Sequence, residues 1–450
     1  MLTRICLSFA LLAAAPVWSQ VDSSTQMAPN SSSDDQMLVP PPISGAAYPS
    51  EVGSETRSNY LNAGLIFSTG YINNFYAGSG TTPVNDVTYL VQPTISLDQT
   101  MLRFHEKLSY SPAFVFYQPT SALNTANENA AANFQIDLSP HVTLQAVDTF
   151  NKTSTAFSQN SFSSGSTISG SPTPTTPGIV APDAPEWTNN TNVGLSWQFT
   201  RSDMISAAGT LSELNYQDAS EAQGLYDSSA RGGSASLTHR LDDRQYLGGL
   251  YQYSRILATP VDGANESLGS TTQLNSIFGY YTVYPERTLS LSIVGGSEYY
   301  EISALPATTI QAWAPAGMAS VGWQGLHTNF AASFSRMVSA GEGVAGASIS
   351  DSASASARWE IARNWTVGVN GNYSILNNAA KPGLAASTVG GHSIGGAASV
   401  EHSMGNSFRI AFQYQRLHQD YGGIAAISAD PNTDIALVSL NYHLSRPLGK

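Results

Sequence analysis

The sequence predicts an all-β chain: a transmembrane, antiparallel, up-and-down β-barrel of about 18 strands, with about 16 as the alternative count. Three observations predict it. Segments of ten or so residues alternate apolar and polar side chains, the period of a strand with one greasy and one wet face. The connections between them alternate in length, tight turns against long loops rich in Gly, Ser, Asn and Pro. After the N-terminal segment, no apolar run approaches the roughly 18 residues of a membrane-crossing helix, so a crossing must be made by strands.

The N-terminus reads as an export signal over residues 1–19, with Arg4 as its positive charge, an apolar core from 5 to 17, and Val17-Trp18-Ser19 at the cleavage site. The mature chain is expected to start at Gln20. Cys6, the one cysteine of the 450 residues, falls inside the signal, so the mature chain is expected to hold together without disulfides. Residues 20–57 carry Ser31-Ser32-Ser33-Asp34-Asp35 and Pro40-Pro41-Pro42 and read as a flexible periplasmic tether, with a small inward plug as the alternative. A formal net charge of -13 excludes nucleic acid as a partner, since binding it takes clustered Lys and Arg.

Strand one is expected over 58–71 and strand two over 87–97, where Val87, Tyr89, Val91, Ile95 and Leu97 alternate with Thr88, Gln92, Thr94 and Ser96. A turn at 98–100 leads to strand three, which sets Leu102, Phe104, Leu108 and Tyr110 opposite Arg103, His105 and Lys107, with Glu106 against the apolar face. The hairpin 130–138/142–150 puts Asp148 on its apolar face, and the irregular stretch 151–186 follows. Hairpins are then expected at 187–200/204–216, 234–241/246–256, 274–284/289–300 and 313–323/328–337. In the next, Trp359 and Ile361 turn through 362–364 into Trp365, Val367, Val369 and Tyr373. The hairpin 394–404/408–418 and a last strand at 435–444 complete the domain 58–444, leaving 445–450 as a tail. Eight short turns near 99, 140, 202, 243, 286, 325, 363 and 405 mark the periplasmic end, and an even strand count puts both termini there. A β-propeller shares the spacing of about 40 residues, but its strands are half as long and no Trp-Asp signature recurs.

Closure gives each face a meaning, because hydrocarbon leaves no partner for an unpaired backbone group. Phe408, Ile410, Phe412 and Tyr414, like Ala436, Val438, Leu440 and Tyr442, should meet lipid. The candidates for the pore lining are Arg103, His105, Lys107, Asp137, Arg240, Arg358, Glu360 and Arg409. Trp323, Trp359, Trp365 and Phe408 beside the short turns, and Tyr216, Tyr253, Tyr300 and Tyr373 at the far ends, read as two interfacial girdles. No Gly-x-Ser-x-Gly elbow exists, the eight histidines are scattered, and no cluster has metal-ligand spacing. Neither an enzyme nor a cofactor is expected.

With its signal, its alternating hairpins, Phe334-Ser335-Arg336-Met337-Val338 followed by Gly341-Glu342-Gly343-Val344, and the closing Leu440-Asn441-Tyr442-His443-Leu444, the chain resembles bacterial outer-membrane β-barrel porins, including those of exopolysaccharide contexts. It departs from their pattern in lacking a terminal aromatic residue and in carrying Ser439 where Gly is usual. The resemblance implies outer-membrane lipid and the barrel-assembly machinery as partners, and small hydrophilic solutes or polysaccharide as cargo. A homotrimer would need a flat outer face of small residues, for which 331–346 and 353–357 are candidates. A barrel of this size leaves an aqueous channel. Residues 151–186 are the expected constriction, with a purely external loop as the alternative; a non-conducting surface barrel would put its function in such loops.

Overall fold

The structure, a computed structural model, describes residues 59–74, 84–153, 184–219, 222, 224–261, 269–286, 288–304, 308–340, 343, 346–379, 390–405, 407–422 and 432–448. The expected signal (1–19) and the whole of the expected tether (20–57) lie outside them. One antiparallel sheet holds every strand. In chain order these are β1 (Tyr60–Asn73), β2 (Asp86–Met101), β3 (Phe104–Tyr110), β4 (Ala113–Tyr117), β5 (Thr125–Ser139), β6 (Val142–Thr153), β7 (Glu186–Gln198), β8 (Asp203–Tyr216), β9 (Tyr226–Asp242) and β10 (Gln245–Pro260). They continue as β11 (Ser270–Glu286), β12 (Leu289–Ala304), β13 (Thr308–Gln324), β14 (Thr328–Ala340), β15 (Ala347–Ala362), β16 (Trp365–Asn378), β17 (Gly390–Met404), β18 (Phe408–Gly422) and β19 (Asn432–Pro447).

β3 and β4 are halves of one crossing, since both pair with β2 on one side and β5 on the other. The break falls at Ser111 and Pro112, where proline has no N–H for the ladder. The ring therefore has the 18 crossings that the alternation predicts. β19 closes it against β1, from Tyr60↔Pro447 to Asn73↔Asp434. β1 in turn runs beside β2, where the Thr100 N–H donates to Asn59 Oδ1 at 3.0 Å.

Two boundaries differ from expectation. β2 runs on through Met101, so the first tight turn is Leu102-Arg103 and not 98–100. Asp98, polar enough to read as a turn residue, instead continues the inward series of Gln92, Thr94 and Ser96. At the other end Ser445, Arg446 and Pro447 pair with Asn62, Leu61 and Tyr60, so β19 absorbs half of the expected tail.

The outward faces are apolar and exposed: Leu65 and Phe67, Val193, Leu195 and Trp197, Phe408, Phe412 and Tyr414, Leu440 and Tyr442. On β13, outward Trp323 and Trp313 stand ten residues apart. At about 3.3 Å per residue and a tilt near 40°, that is roughly 25 Å along the barrel axis, the height of an apolar belt between aromatic girdles. Two expected girdle residues belong elsewhere. Tyr216 and Tyr300 are buried and face inward, because the parity of their strands puts exposed Leu211 and Ile293 on the opposite face. Glu106 and Asp148 do fall on the outward face, and Asp148 is satisfied there by the Thr191 hydroxyl at 2.6 Å and Asn189 Nδ2 at 3.4 Å.

Candidate functional site: the barrel lumen

At the short-turn end the inner wall is ionic. Glu401 on β17 accepts from Arg358 Nη2 on β15 at 3.2 Å and lies 3.5 Å from Arg409 Nη1 on β18, so one carboxylate joins three strands. Arg358 faces Gly368 across β15 and β16, and the missing side chain there opens its reach over β16. Farther round the ring, on β2 and β3, His105 Nε2 lies 3.3 Å from Asp98 Oδ1, and Lys107 is the register partner of Asp98. Asp137 accepts from Thr143 Oγ1 at 3.1 Å and Gln135 Nε2 at 3.3 Å. Arg240 lies on the inward face of β9 near its turn, and Glu360 on β15 pairs with His327 Nδ1 at 3.2 Å. Arg103 is the exception among the eight candidates, because it sits exposed in the Leu102-Arg103 turn and not on the wall.

Buried amide oxygens of Gln92, Asn192, Gln252, Asn370 and Asn372 at mid-height, and of Asn441 beside Arg409, have no protein partner among the described residues. Buried polar atoms seek hydrogen bonds, so these positions suit water or the hydroxyls of a passing solute. On β10 to β14 the lining is different. Leu250, Phe278, Tyr280, Val294, Met318 and Met337 pack into one inward cluster. Gly248 makes room for it: a Cβ there would come within 2.2 Å of the Tyr280 ring. The Tyr280 hydroxyl bonds Thr238 Oγ1 on the floor of that cluster.

The end away from the short turns is narrowed by the wall itself. β13 and β14 pair only from Gln324↔Asn329 to Gly317↔Arg336, although β13 stays paired with β12 up to Thr308 and β14 with β15 up to Ala340. Continued one step of two residues, the register would bring Pro315 to Val338. Proline offers no N–H. Instead the Val338 N–H donates to Glu298 Oε2 of β12 at 2.5 Å, and the other carboxylate oxygen accepts from Ser276 Oγ at 3.0 Å. Met337, Val338 and Ser339 are buried in succession, as a strand is when it leaves the wall and enters the interior. Beyond them the Gly346 N–H donates to Ser270 Oγ at 2.8 Å and the Tyr300 hydroxyl to Ala379 O at 3.0 Å.

The hairpin also reaches across the mouth to β9. Tyr226 N–H donates to Gly343 O at 3.1 Å. Gly343 has φ +79°, and a Cβ would come within 2.5 Å of the Tyr216 hydroxyl, so only glycine fits. Tyr216, Ala222 and Leu225 from the β8–β9 side pack with Leu376 of β16 and Tyr421 of β18, nearly opposite in the ring. The mouth is thus spanned by contacts between facing walls.

Three acidic residues that organise the inner wall were not among the candidates. Asp98 was hidden in an expected turn. Glu401 stands in the sequence Ser-Val-Glu-His-Ser, on the polar face of its strand, and only register brings it to two arginines. Glu298 reads as one more polar alternation; its partner is a backbone N–H 40 residues away. The expected constriction at 151–186 lies for the most part outside the described residues, and the narrowing seen is built from β14 and β15. Their inward turn also takes Val338, outward by parity, off the outer face, so this end of the expected flat outer surface at 331–346 is interrupted.

Among the described residues no group of three His, Cys, Asp or Glu could hold a metal ion. No family model and no curated relative matches the chain. Solved outer-membrane barrels do. The ferric citrate transporter FecA in its unliganded form matches with TM-score 0.45 and 11% identity, over 86% of this chain and 66% of that one. OccK2 (OpdF) of Pseudomonas aeruginosa, in complex with glucuronate, matches with TM-score 0.41 and 11% identity, over 86% and 98%. OccAB4 of Acinetobacter baumannii matches with TM-score 0.41 and 10% identity, over 87% and 100%.

Proposed function

We propose that this protein is an outer-membrane channel for small hydrophilic solutes, narrowed at its outer end by the inward-turned β14–β15 hairpin. One observation carries the reading: a closed 18-crossing ring wears an apolar belt outside while its inner wall holds amide oxygens without a partner among the described residues and a carboxylate between two arginines. Such a wall replaces part of a solute's hydration as it passes, and charged side chains set the preference among ions by their local field. The long connections then lie at the cell exterior and the eight short turns in the periplasm. The inward position of β14 and β15 accounts for restricted passage without a separate plug domain.

The test is single-channel recording of the refolded protein in a planar bilayer. Stable conductance steps, smaller than those of an unobstructed barrel of this size, are expected. A correctly folded barrel, shown by heat-modifiable migration on a gel, that stays electrically silent would overturn the channel reading and leave a closed surface barrel.

A further inference from the structure

We infer that Arg231 and Arg255 form an anion site on the outside of the barrel that takes the phosphate of a membrane-lipid headgroup. The inference rests on reading the barrel as membrane-spanning. The two arginines are direct register partners on β9 and β10, and both are exposed on the outward face. Among the described residues neither has a carboxylate within the 4.0 Å of an ion pair.

Their height follows from their place on the strands. Tyr253 of β10 is an exposed outward aromatic near the long-loop end. Arg255 is the next outward residue, in line with Gln273, Glu301 and Gln311. Two residues of a tilted strand raise it by about 5 Å, which is where headgroups begin above an aromatic girdle.

Elsewhere on this rim each outward cation among the described residues faces an acid. Lys152 stands across from Glu128, Arg336 lies 3.4 Å from Asp351, and Arg416 lies 3.8 Å from Asp434. Here a base faces a base. Like charges directly opposite on an antiparallel pair destabilise it. The acids nearby do not relieve this: Glu213 faces Ser229, and Glu301 is engaged by Gln311 Nε2 at 2.8 Å. A phosphate between two guanidinium groups turns the repulsion into charge-assisted, bidentate hydrogen bonds. Exposed Leu211, Tyr253 and Leu257 flank the pair, an apolar footing for acyl chains that a dissolved anion would not use.

The test uses the full mature chain in detergent with three probes: dihexanoyl phosphatidic acid, dihexanoyl phosphatidylcholine and inorganic phosphate. Binding is read by titration calorimetry on the wild type, R231A/R255A and R231K/R255K, with R231Q/R255Q in reserve should the alanine pair fail to fold. Phosphatidic acid is expected to bind the wild type at least tenfold more tightly than the alanine pair, with the lysine pair between them, and inorganic phosphate is expected to show no arginine-dependent binding. Equal affinity of phosphatidic acid for the wild type and the charge-free variants overturns the site. Inorganic phosphate binding as tightly as the lipid, and as dependent on the arginines, overturns the lipid assignment. Conductance of the same preparations is a separate readout: a silent barrel that still binds phosphatidic acid through the arginines would end the channel reading and leave the lipid site standing.

Discussion

The inner wall from β10 to β14 and the inner wall from β15 to β18 are built from the same kind of strand and hold together differently. The first is apolar, with Leu250, Phe278, Tyr280, Val294 and Met318 packed flat against glycines, and it ends in a seam where β14 turns away from β13. The second is polar, with Asn370, Asn372 and Gln415 above the Arg358–Glu401–Arg409 bridge, and its ladders stay paired up to the long-loop end. A continuous ladder leaves its side chains free to face water. A broken one needs side chains to finish the backbone's hydrogen bonds, and Glu298 does so for Val338.

The comparison can be broken hardest at Glu298. Replacing it with alanine leaves the Val338 N–H and Ser276 hydroxyl without this acceptor, at a cost of a few kcal/mol for a buried group. In urea unfolding, E298A should lose about that much, and its conductance should rise several-fold and flicker as the hairpin leaves the mouth. E298Q keeps an acceptor oxygen and should stay near wild type; wild-type stability and conductance of E298A would show that Glu298 does not hold the hairpin.

The next largest effect belongs to the other wall. E401A leaves Arg358 and Arg409 without their shared anion, so the reversal potential in a KCl gradient should shift toward chloride. The stability loss should be about 1–2 kcal/mol, because the bridge is partly open to solvent. An unchanged reversal potential would place the bridge outside the ion path.

Packing sharpens the contrast further. G248V puts methyl groups where the Tyr280 ring lies, and overpacking of this kind costs about 1–3 kcal/mol. G295A is the control, since a Cβ there meets nothing within 4 Å. The refolded fraction should fall for the first and hold for the second. The smallest effect is expected at the seam: P315V supplies an N–H, but β14 is already turned inward, so hydrogen exchange along β14 should barely change. Strong new protection at Val338 and Ser339 would mean that the proline alone keeps the two strands apart.

Much of this was legible in the sequence, for a physical reason. A side chain's face depends only on parity, so Phe408, Phe412 and Tyr414 declare the outside and Arg358 and Arg409 the inside without any knowledge of neighbours. Errors arose where an aromatic was placed by its nearness to a strand end and not by parity, as with Tyr216 and Tyr300, or where a polar strand end imitated a turn, as at Asp98. The seam had no local mark. Pro315 alone reads as an edge residue, and nothing near residue 338 names residue 298 as its partner. Contacts between strands far apart in the chain are set by closure of the ring, which alternation does not encode.

The seam has a mechanical consequence. β13 and β14 share eight register pairs where β12 and β13 share 16 and β14 and β15 share 13, so the ring is nicked at one point on its rim. A closed hoop under load shares tension around its circumference, whereas a nicked one concentrates it at the root of the notch. For this barrel that root is the Gly317–Arg336 pair. A pulling experiment should tear the hoop there first, and β14 and β15 should come away together as one flap.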